Sequence, residues 1–144
     1  MQLNKVLLPV KGHPIEQEIL HLACDLVRPN HGSVIAVYVI EVPREYPVDA
    51  ELTEETAIGE QVLRRVETYL GELKCPVVAE LVQSRDVGPA VVQEALSRNV
   101  DAILMGLSYR LRHGSFTLGQ TAPYILENAV CPVIISRAKI PTGF

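Results

Sequence analysis

The segment GSFTLGQT, residues 114–121, sets two glycines among hydroxyl side chains and approaches the spacing of a phosphate-binding P-loop. A P-loop follows a strand directly and carries a lysine that neutralises the outer phosphates. Here YRLRH (109–113) precedes Gly114, and uncharged Gln120 stands at the lysine position. Both requirements fail. A longer frame keeps the phosphate chemistry: Gly106 closes a strand, Gly119 opens a helix, and the loop between them wraps an anion. Free backbone N–H groups and the positive end of the helix would face that anion. Thr121 would serve as helix N-cap or as a phosphate-contacting hydroxyl. Lys11, Arg110, Arg112 and His113 add positive charge to the same region. Two readings of these cations stay open: an anion site held by side chains, or arginines solvated on a long exposed loop.

Other chemistry-bearing residues fall into no constellation. His13, His21, His31 and His113 share no metal-ligand spacing and read as surface or capping residues. Ser108 and Ser115 have no neighbouring His–Asp arrangement, so a hydrolase triad is not expected. No carboxylate pair stands out as catalytic. Glu54 and Glu55 read as acids of a first helical turn. Cys24 and Cys131 read as small buried residues. Three cysteines without a CxxC pair argue against a disulfide framework and fit a reducing cytosol.

Alternating elements must position these residues. LNKVLLPV (3–10), SVIAVYVIEV (33–42), CPVVAELVQS (75–84), VDAILMG (100–106) and CPVIIS (131–136) are short apolar runs that predict five strands. Between them, apolar residues recur at helical spacing. The first helix follows Pro14, with Ile15, Ile19, Leu22, Ala23 and Leu26 inward, and NHG (30–32) stops it. The second, capped by Thr53, carries Ile58, Val62, Val66, Tyr69, Leu70 and Leu73. The third starts at Gly88 and Pro89, carries Val91, Val92, Ala95 and Leu96, and ends at Asn99. The fourth, after a loop from Leu107 to Leu118, carries Ala122, Ile125, Leu126 and Ala129. Doubly apolar strands alternating with amphipathic helices predict an α/β fold, a parallel sheet with helices on both faces. Ligands of such sheets bind beyond the carboxyl ends of the strands, where strand order reverses. The loops to watch are PVKGHP (9–14) and the stretch from Gly106 to Pro123.

The chain of 144 residues matches a single domain, 1–144, and its net charge of −4 supplies no basic field for nucleic acid. The longest apolar stretch, VIAVYVI (34–40), is far short of a membrane span, and the first residues lack a signal-peptide core. A cytoplasmic location is expected, with neither nucleic acid nor membrane as partner.

The order of elements, KVLLPV near the start, VDAILMG before the loop and ILENAVCPVII near the end resemble the universal stress protein family. The similarity runs over the whole chain. It implies a five-stranded parallel open sheet of order 3-2-1-4-5, resembling nucleotide-binding domains. Many members bind ATP through glycine, two residues, glycine, nine residues, glycine and then Ser or Thr. Laid on this chain, the pattern falls on Gly106, Tyr109, Gly119 and Gln120, with Thr121 one step later. ATP binders of the family usually carry Asp in a PVDG loop, where this chain has Lys11 in PVKG. The nucleotide contacts implied by the resemblance are Pro9, Val10 and Lys11, then Val39 on the second strand. From the fourth strand and its loop come Met105, Gly106, Ser108, Tyr109 and Arg110. Gly119, Gln120 and Thr121 complete them.

Tyrosine lets a backbone neither approach a phosphate closely nor take positive φ as glycine does. Losing the hydroxyl at 120 removes one donor, about 1 kcal/mol if uncompensated. The expected function is therefore a stress-associated regulatory or binding protein, not an enzyme, with weak or absent ATP binding and no certain cofactor. The alternative is ATP or AMP binding between loops 9–13 and 106–121, with slow hydrolysis. Family members commonly dimerise through the last strand, which implies a homodimer using Val133, Ile134, Ile135 and Ser136. An apolar edge strand invites such pairing.

Overall fold

The structure, a computed structural model, describes residues 2–109 and 120–139. Five strands form one sheet: β1 (Lys5–Pro9), β2 (Ser33–Glu41), β3 (Val77–Ser84), β4 (Ala102–Tyr109) and β5 (Val133–Lys139). Four helices alternate with them: α1 (Glu16–Val27), α2 (Thr53–Glu72), α3 (Val87–Ser97) and α4 (Thr121–Asn128). The strand order is β3-β2-β1-β4-β5 and every pairing is parallel. The expected architecture is the one observed.

Strand periodicity divides the core in two. Val6 and Leu8 of β1, Val34 and Ala36 of β2, and Ala102 and Leu104 of β4 pack with α1 and α2. The residues between them, Leu7, Ile35, Val37, Ile103 and Met105, pack with α3 and α4 on the other face. Both faces of the central strands are therefore dry, which is why these runs show no polar alternation.

Three helix-to-strand junctions share one stop. His31, Lys74 and Asn99 take left-handed conformations, with φ of 54°, 56° and 52°. After each, the next N–H reaches back five residues: Gly32 to Val27 O, Cys75 to Leu70 O, and Val100 to Ala95 O. The left-handed residue itself donates three residues back, to Arg28 O, Gly71 O and Leu96 O. This is the Schellman arrangement, built here without glycine at its left-handed position.

Several boundaries differ from the sequence reading. Leu52, not Thr53, precedes α2, and no side chain caps it. β4 does not close at Gly106: Leu107, Ser108 and Tyr109 continue it, in register with Arg137, Ala138 and Lys139 of β5. The pairing with β5 carries the strand beyond its apolar run. Ile58, Leu96 and Leu126, expected inward, are exposed: Ile58 and Leu126 lie at the margin of their helices' buried stripes, and Leu96 lies on the face of α3 away from its buried residues. Cys131 is half-buried and precedes β5, which starts at Val133.

Candidate functional site

β1 and β4 part at their carboxyl ends, and the parting opens a cleft. They pair only at Val6–Ala102 and Leu7–Ile103, whereas β4 follows β5 from Ile103 to Tyr109. Pro9 has a direct part in this. The N–H of Val10 bonds to Val37 O of β2 at 2.9 Å. Successive backbone groups point to opposite neighbours, so Pro9 faces β4 with no N–H to give and cannot extend that ladder. Opposite the cleft, Asp101 Oδ2 accepts the N–H groups of Asn4 and Lys5 at 2.8 and 2.9 Å and pins the amino end of β1.

The cleft encloses about 170 Å³ at the point where strand order reverses. Of the residues anticipated from the sequence, Pro9, Val10, Lys11, Val39, Met105, Gly106 and Thr121 line it. Ser108 and Tyr109 lie on β4, and exposed Gln120 immediately precedes α4. Arg110 and Gly119 fall outside the described residues, as do Arg112, His113 and Gly114. Thr121 is the first helical residue of α4 instead of its N-cap; Gln120 holds the cap position, without a side-chain bond.

Glu16 was missed by the sequence reading and is the residue that most changes the site. It begins α1, and its carboxylate turns back onto the loop after β1. Oε2 accepts the Lys11 N–H at 2.8 Å and Oε1 accepts the Gly12 N–H at 2.8 Å. Gly12 makes the loop possible with φ of 89°, a conformation unfavourable to residues with a Cβ. Burial pushes the Glu16 carboxyl above the ordinary glutamate value of 4.5, against the opposing effect of those two hydrogen bonds. The available signal was an acid in the first helical turn just after a glycine turn. Such acids normally face water. The neighbouring His13 is exposed, and its Nδ1 accepts the Ile15 N–H at 3.3 Å just ahead of α1, which has no side-chain cap.

The remaining walls are apolar: Val37, Val39, Val87, Met105 and Leu107. Above β2 and β3, the 43–52 loop is clamped by two side chains. Gln83 Nε2 donates to Val48 O and Ala50 O, both at 2.9 Å, and Arg85 Nη1 donates to Pro43 O at 2.6 Å. The arrangement is a narrow apolar slot with one carboxylate already seated on the backbone donors at its mouth.

A parallel sheet of this order with a cleft at its reversal point defines an α/β fold of the nucleotide-binding-like kind. The sequence pattern of the universal stress protein family matches residues 2–137, and the chain belongs to that stress-associated family. Universal stress protein MJ0531 of Methanocaldococcus jannaschii is 24% identical over 142 residues, covering 93% of this chain and 82% of that protein. A universal stress protein of Archaeoglobus fulgidus superposes with a TM-score of 0.77 at 18% identity, covering 94% of this chain and 98% of the other. A second structure from that organism, in complex with dAMP, gives 0.71 at 18% identity over 94% and 98% of the two chains. A family protein of Arabidopsis thaliana with AMP bound gives 0.67 at 17% identity, covering 97% of each chain. Among the described residues, no helix is long and apolar enough to cross a membrane.

Proposed function

We propose that this chain is a regulatory or binding protein, not an enzyme, and that its cleft holds adenine nucleotides weakly or not at all. The observation that carries this reading is the Glu16 carboxylate on the Lys11 and Gly12 N–H groups. A phosphate approaching these donors has to displace that carboxylate or lie against it. Two like charges about 4 Å apart repel by about 1 kcal/mol in water and about 4 kcal/mol near a protein surface. Tyr109 and Gln120, standing where the family pattern has glycine and a hydroxyl residue, add to the loss.

A second reading is favoured by the dAMP and AMP complexes of the structural neighbours and by the apolar slot between Val39 and Met105. In it the cleft takes ATP or AMP, with Lys11 near the phosphates. One experiment separates the two. The protein is purified without added nucleotide, denatured, and its supernatant searched for ATP and AMP by mass spectrometry, followed by calorimetric titration with ATP and magnesium. Micromolar binding overturns the first reading, and silence at millimolar ATP removes the second.

The same proposal includes a cytoplasmic homodimer. β5 lies at the edge of the sheet, with Val133, Ile134, Ile135 and Ser136 half-buried. Pairing through this edge would cover an apolar strand. Light scattering at micromolar concentration should return twice the chain mass; a monomer alone would sink the dimer.

A further inference from the structure

Cys24 and Cys75 are 51 positions apart in sequence, yet α1 and the junction leaving α2 bring them together at the amino end of the sheet. Both are free thiols, Cys24 fully buried and Cys75 6% exposed. Arg28 is anchored between them and the α2 stop: Nη2 donates to Cys24 Sγ at 2.9 Å and to Leu73 O at 3.0 Å. Cys75 is held by its own N–H on Leu70 O at 2.9 Å, so neither sulfur is on a loose segment. A cleft of about 210 Å³, lined by both cysteines with Arg28, His31 and Lys74, lies against the pair; because Cys24 is fully buried, peroxide reaches its sulfur only through local opening of this junction.

We propose that Cys24 and Cys75 form a peroxide-oxidisable dithiol that closes to an intramolecular disulfide. Hydrogen peroxide is little larger than water and fits this cleft. Cys24 is the attacking sulfur, because the Arg28 guanidinium is placed to accompany negative charge there. Cys75 is unsuited to that role: burial and its interaction with Cys24 push its thiol up to about 12. In the first step the Cys24 thiolate takes one peroxide oxygen, the O–O bond breaks, and the departing hydroxide gains a proton to become water. In the second, Cys75 sulfur attacks the Cys24 sulfenic acid, the S–O bond breaks, and the displaced hydroxide takes the Cys75 proton as a second water. Two thiols and one peroxide give one disulfide and two waters. The pair lies at the opposite end of the strands from the switch-point cleft, so the proposal stands apart from nucleotide binding.

The test uses the full chain, wild type and with Cys131→Ser, to remove the half-buried third thiol. After peroxide treatment, the protein is denatured, alkylated and weighed intact. The expected product of the Cys131→Ser chain is lighter by two hydrogens and takes up no alkylating agent. Digestion should yield a Cys24–Cys75 linked peptide that dithiothreitol separates. In Cys75→Ser, a sulfenic acid at Cys24 should be trapped by dimedone. Both cysteines remaining alkylatable, oxidising past sulfenic acid without linkage, or linking two molecules instead, would each overturn the proposal.

Discussion

Gly106 of β4 lies directly beneath Ile19 of α1: a Cβ built at 106 would sit 1.7 Å from Ile19 Cδ1. This glycine, the first of the family's nucleotide pattern, is therefore demanded by helix-on-sheet packing whatever the cleft holds. Ile19 is itself 1% exposed and cannot swing into water without emptying the core beneath α1. Gly106→Ala should destabilise by about 3 kcal/mol, the upper end for overpacking. In the double variant with Ile19→Ala the two losses should fall short of additive by at least about 1 kcal/mol. Urea denaturation of the four proteins measures this, and strict additivity would show that the two residues do not share the space.

Glu16 makes a pH prediction. Its folded-state pKa lies above the unfolded value near 4.5, so the folded chain holds the proton more tightly. The stability it contributes is therefore greatest below that value and declines as pH rises through the raised folded pKa, above which it is constant. Glu16→Gln should flatten this decline in denaturation curves taken from about pH 4 to about pH 7. An unchanged slope would assign the pH dependence to other groups.

Lys74 adopts φ of 56° at the α2 stop, where a residue with a Cβ is strained. Lys74→Gly should raise stability by about 0.5–1 kcal/mol. Asn99 has the same conformation at 52°, but asparagine tolerates it, so Asn99→Gly should gain less. Thermal melts of both variants give the ranking directly; equal or reversed shifts contradict it.

The part of the proposed loss of nucleotide affinity that lies at Lys11, Tyr109 and Gln120 can be reversed with Glu16 left in place. Lys11→Asp, Tyr109→Gly and Gln120→Ser restore the family pattern at the departing positions. The triple variant should bind ATP at least about tenfold more tightly than the parent, a gain of about 1.4 kcal/mol. Calorimetry compares the two, and a parent that already binds as well as the variant refutes the account.

Local patterning was sufficient for the order of elements and for the two-sided core. Short valine, isoleucine and leucine runs with no polar alternation read as strands covered on both faces, and the helical stripes between them supply the cover. Pro9, Val10 and Lys11 were legible as residues of the cleft because it opens at the carboxyl ends of parallel strands, where such sheets bind. Thr121 was placed near the site, but of its two anticipated roles the N-cap falls to Gln120, since the start of a short helix depends on contacts that no local pattern carries. Three features needed the tertiary structure: Glu16 turned onto Lys11 and Gly12, Gly106 beneath Ile19, and Cys24 beside Cys75. Each joins residues from separate turns, helices or strands. Periodicity states which face of an element is buried, but the depth and lateral placement of its partners follow only from how the helices settle on the twisted sheet.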